Sequence, residues 1–108
     1  MNEAIYRYTL PPEAEIDDAE ASLLLAVWGT ESLHGEVRVR LDAAHLFDRE
    51  RRACVIDART PAGRTLNDLF AGYLRKEFGE TVAVERVAAL FLENPVTPSG
   101  PNWREGER

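Results

Sequence analysis

The order of apolar and polar positions divides the chain into alternating and helix-periodic stretches. Residues 4–10 alternate and are rich in β-formers, setting Tyr6, Tyr8 and Leu10 on one side and Ile5, Arg7 and Thr9 on the other. Pro11 and Pro12 end that strand. Asp17 followed three residues later by Glu20 reads as a capping-box-like start. The helix it opens runs to about His34, with Leu24, Leu25, Val27 and Trp28 as its buried stripe, and Gly35 stops it. Glu36 to Asp42 then alternates strictly. That pattern predicts a second strand, with Val37, Val39 and Leu41 facing inward and Arg38, Arg40 and Asp42 outward.

The charged run from Asp48 to Arg52 predicts a solvated loop, and Ala53 to Ala58 a more apolar strand suited to the centre of a sheet. Thr60-Pro61 is a strong helix start, a capping hydroxyl followed by proline at the first helical position. Leu66, Leu69, Phe70, Tyr73, Leu74 and Phe78 then recur at helical spacing and form the clearest amphipathic helix of the chain. Gly79 closes it, and Thr81 to Val87 alternates as a last strand that residues 88–92 extend or cover. From Asn94 onward prolines and a glycine crowd the chain, which predicts an irregular tail.

The helix–glycine–strand junction thus occurs twice, with Gly35 and Gly79 44 positions apart and the helix starts at Asp17 and Thr60 43 apart. Two similar β-α-β halves follow. The expectation is one α+β domain over residues 1–93, of the ferredoxin-like βαββαβ arrangement, with a four-stranded antiparallel sheet carrying both helices on one face. Residues 94–108 form the tail. Gly29 and Gly72 are each interior to a helix, at a cost of about 1 kcal/mol relative to alanine, so one or both are expected where the helix backbones approach each other or the sheet.

Composition narrows the function. The net charge of −6 is concentrated at the start, where residues 1–35 carry Arg7 against seven acids. An acidic chain without a basic block does not suit nucleic-acid backbones. No apolar run exceeds six residues, the length of Leu23 to Trp28, far short of a membrane span, and residues 1–5 have no signal-peptide character. Cys54 is the single cysteine. A cytoplasmic protein is expected.

Several clusters invite chemistry. Antiparallel helices would bring Asp17, Asp18 and Glu20 to Arg75 and Lys76, and Glu31 and His34 to Arg59 and Arg64, as helix-end charge pairs. Glu31 and His34 have the spacing of a carboxylate–histidine metal motif, but the second helix has no histidine and His45 falls in the predicted hairpin, so no metal or cofactor is expected. Cys54, between Ala53 and Val55, reads as a small buried hydrophobe. Arg59, Thr60, Gly63 and Arg64, at a helix start, could hold an anion, nucleotide or amino acid, as a ligand-binding domain or small enzyme would. The sheet face away from the helices would show Arg7, Arg38, Arg40, Val55 and Asp57, a mixture compatible with a dimer or partner surface, and Trp103 could serve as an anchor. The glycine and aromatic pattern of RNA-recognition domains, the paired cysteines of heavy-metal-associated domains and the phosphate loop of acylphosphatases are all missing, and the glycine expected in the first loop of ACT domains is too. The reading that remains is a non-enzymatic interaction or regulatory module. It would act as a homodimer or on another protein, through the open sheet face or the acidic N-terminal region.

Overall fold

A computed structural model describes residues 4–88. Along the chain these form β1 (Ile5–Thr9), α1 (Ile16–His34), α2 (Glu36–Asp42), β2 (His45–Asp48), β3 (Ala53–Asp57), α3 (Pro61–Phe78), a 3₁₀ turn (Gly79–Thr81) and β4 (Ala83–Val87). The four strands make one sheet in the order β2-β3-β1-β4, with every neighbouring pair antiparallel. The fold is α+β with three helices, one more than the periodicity predicted.

The extra helix is the first correction. Glu36–Asp42 is helical, not a strand. Its alternation exposes Val37 and Leu41 and buries Val39 alone. The same seven residues place Glu36 against Arg40 (3.5 Å) and Arg38 against Asp42 (2.9 Å) at i,i+4, a spacing that supports a helix. The second strand forms further on, at His45–Asp48, and takes His45 out of the predicted hairpin turn. A tight turn follows, in which Arg51 N–H donates to the Asp48 carboxylate (3.1 Å). Arg52, at φ +55°, turns the chain into β3. Its guanidinium donates to the carbonyls of Pro11 (2.8 Å) and Ala14, and its own carbonyl accepts from Leu10 N–H (2.8 Å). The arginine thereby ties the β2–β3 turn to the loop that leads into α1.

The second correction concerns α1. Its inward face carries Ala19, Ser22, Leu23, Ala26 and Thr30, while Leu24, Leu25 and Trp28, expected in the core, point to solvent at 51%, 52% and 58% exposure. Small residues on the inner face let the helix lie close to its neighbour. Thr30 hides its hydroxyl by donating to the Ala26 carbonyl (2.7 Å), and a methyl added at Gly29 would come to 2.9 Å from Leu69 Cδ1 on α3. Gly29 thus lies against a side chain of α3, whereas Gly72 faces open space. Nor does Asp17 cap the helix: Glu15 precedes its first turn and makes no side-chain cap bond. Asp17 and Glu20 instead bind Arg49 of the β2–β3 turn, not the predicted Arg75 and Lys76. At the other end His34 Nε2 meets Thr65 Oγ1 at 2.9 Å.

α3 follows its sequence closely. Thr60 caps it by accepting from Gly63 N–H (3.0 Å), Pro61 opens it, and Leu66, Phe70 and Leu74 are buried. With Tyr8, Leu10, Leu23, Val39, Cys54 and Ile56 they build the core between sheet and helices. Tyr8 meets Phe70 edge to face at 5.1 Å and donates its hydroxyl to Asn67 Oδ1 (2.6 Å), which satisfies the one polar atom it carries inward. β3 lies between β2 and β1 and is buried along its whole length, the central place its composition predicted.

Candidate functional site

The largest departure from an ordinary polar surface is the outer face of α1. Leu24, Leu25 and Trp28 stand at i, i+1 and i+4, within an arc of about 100°. That arc is turned away from Ala19, Ala26 and Thr30. The helix is therefore apolar on two opposite sides, a property of helices that are covered on both. Of the seven large hydrophobic side chains exposed among the described residues, six lie between Leu24 and Leu41 on α1 and α2. Carboxylates bracket the apolar stretch: Asp17, Asp18 and Glu20 before it and Glu31 after it, with no Lys or Arg anywhere in the helix. A shallow cleft beside it, between α1 and α2, is lined by Val27, Glu31, Glu36, Arg40 and His45.

The residues read from sequence as an anion site are placed as follows. Arg59 turns back on Asp57, donating through Nε and Nη2 at 2.9 Å each. The Arg59 guanidinium, with help from its backbone N–H, holds the Asp57 carboxyl below its usual range despite burial. Thr60 spends its hydroxyl on both the helix cap and the Asp42 carbonyl (2.6 Å). Gly63 is buried against the Asp57 carbonyl, where a methyl would overlap that oxygen. Arg64 lies half-buried on the first turn of α3. Thr60, Gly63 and the Asp57–Arg59 pair thus come together as the packed joint between β3 and α3.

The expected interface residues do not share one surface. Arg38 and Arg40 are on α2, away from the sheet, because that segment is helical. Arg7 faces Glu85 across β1 and β4 with Nε at 2.9 Å from the carboxylate. Val55, its partner in register on β3, shares that sheet face with Arg7 but is fully buried, and Asp57 is nearly so. Trp103 lies outside the described residues, as does the tail from Asn94. Cys54 is buried beneath the helices, and burial pushes its thiol up, so it stays protonated and unreactive in the folded chain. Burial likewise raises the Tyr8 phenol. Among the described residues no group of three or more His, Cys, Asp or Glu side chains could hold a metal ion, and no helix is long and apolar enough to cross a membrane.

No protein-family model matches the chain, and no curated protein or solved structure matches it either. The site therefore rests on its own geometry. Sequence reasoning overlooked Leu24, Leu25 and Trp28 as a surface, although a signal was present. Leu23 to Trp28 is uninterrupted by any polar residue. A run of that kind on a helix cannot turn all of its side chains to one core.

Proposed function

We propose that this chain is a non-enzymatic protein-interaction module that acts through its acidic N-terminal region, with the outer face of α1 as the contact surface. The observation that carries the reading is the solvent-facing cluster of Leu24, Leu25 and Trp28 on a helix whose opposite side already builds the core. A contiguous apolar patch ringed by polar groups is the usual mark of a binding surface. The strand order β2-β3-β1-β4 and the crossovers through α1 and α3 support a ferredoxin-like reading of the scaffold, with α2 as an addition at the end of α1. The reading keeps the protein in the cytoplasm, where its one thiol stays reduced.

The experiment compares wild type with Leu24→Ser/Trp28→Ser by multi-angle light scattering and by affinity capture from the source cells. A self-association or a captured protein that wild type shows and the double variant loses is the expected result. Identical behaviour of the two proteins, both remaining folded, overturns the reading.

A further inference from the structure

We propose that the outer face of α1 is a docking site for a basic amphipathic helix of another protein; this names the partner chemistry for the surface just described and rests on that reading. The charge around the apolar cluster makes the choice. Along the nineteen residues of α1 the charged side chains are Asp17, Asp18, Glu20 and Glu31, with His34 at the end. Arg49 lies against Asp17 and Glu20, and Arg40, beside the cleft, is tied to Glu36. Among the described residues around Leu24, Leu25 and Trp28 and the cleft beside them, five carboxylates (Glu36 with the four of α1) therefore meet two guanidinia, Arg49 and Arg40. The side chain of Asp17 remains 78% exposed even with Arg49 beside it.

A second copy that docks through its own α1 does not complement this surface. Two α1 helices packed antiparallel about the point between Leu24 and Leu25 set Asp18 of each against Glu31 of the other, and a parallel pair sets each acid beside its own copy. Like charges opposed in this way disfavour the contact. A helix with an apolar stripe and lysine or arginine on either side meets both features at once: its apolar residues cover Leu24, Leu25 and Trp28, and its cations meet the acids at the two ends. This is the helix-on-apolar-surface mode of recognition. Asp17 to Glu31 spans about 21 Å of helix axis, so the partner segment needs about four turns.

The probes are two synthetic 14-residue helical peptides with the same leucine stripe, one carrying lysine and the other glutamate at all polar positions, titrated into the full chain with fluorescence anisotropy as readout. Wild type is expected to bind the lysine peptide, more weakly as salt rises, and not the glutamate peptide. Asp18→Lys/Glu31→Lys and Leu24→Ser/Trp28→Ser should each weaken that binding by about tenfold or more. Asp68→Lys/Glu85→Lys, which changes the net charge equally on the exposed side of α3 and on the edge strand β4, should leave it within about threefold. Circular dichroism and urea midpoints establish that each variant is folded.

Equal loss in the Asp68/Glu85 variant, equal binding of the glutamate peptide, or no binding of either overturns the proposal. A wild-type dimer that Leu24→Ser/Trp28→Ser dissociates also overturns it, in favour of a second copy, while leaving the interaction reading of α1 standing. Absence of peptide binding, self-association and any captured partner removes both.

Discussion

Gly63 and Gly72 lie nine residues apart on one helix and have opposite reasons to be glycine. Gly63 is pressed against the Asp57 carbonyl, a backbone atom that cannot yield, so Gly63→Ala is expected to cost about 3 kcal/mol through overpacking. Gly72 has nothing near it, and Gly72→Ala should gain about 0.5–1 kcal/mol from helix propensity alone. Urea unfolding of the two variants gives the signs directly, and equal effects would refute the packing argument. Asp57 carries a pH dependence. Because Arg59 depresses its folded pKa, the ionised carboxylate stabilises the fold fully above the ordinary aspartate range, and that contribution is lost as pH falls through the depressed value. Asp57→Asn is expected to be less stable than wild type near neutrality, with the two stability curves converging below about pH 4. A gap that persists unchanged into strong acid would show that the carboxylate's charge is not the cause.

At the scale of elements, α1 and α2 show how one pattern serves two structures. Leu23 and Leu24 are adjacent and chemically identical, yet one is buried and the other half exposed. Leu23→Ala is expected to cost about 2–4 kcal/mol, whereas Leu24→Ala and Trp28→Ala should each stay within about 0.5 kcal/mol of wild type in urea. Comparable losses at all three positions would mean that the outer face is packed. The α2 segment was misread because Glu-Val-Arg-Val-Arg-Leu-Asp satisfies two periods at once: it alternates, and its charges also pair at i,i+4. α3 was legible for the converse reason. Its cap, its proline and its single apolar face agree with one another, and no competing period is present.

At the scale of the whole molecule, Cys54 reports on cooperativity. It sits on the central strand with α3 above it, so an aromatic disulfide reagent should label it only when the domain opens as a unit. Labelling should then slow by about two- to fivefold in Gly72→Ala, in line with the stability gained there. Fast labelling indifferent to that substitution would place the opening in the strand alone.

The local signals, read without any fold, were sufficient for β1, β3 and α3 and for the glycine stops at Gly35 and Gly79. Each of these depends on residues close in sequence, where turn chemistry, capping and a single period act directly. Tertiary structure alone decided that Glu36–Asp42 is a helix, that β2 starts at His45, that Asp17 and Glu20 meet Arg49, and which side of α1 is buried. Those outcomes depend on which surface another element leaves to be covered. For α1, the small residues Ala19, Ala26 and Thr30 allowed closer packing against α3 than the leucines and tryptophan opposite them, and left Leu24, Leu25 and Trp28 outside.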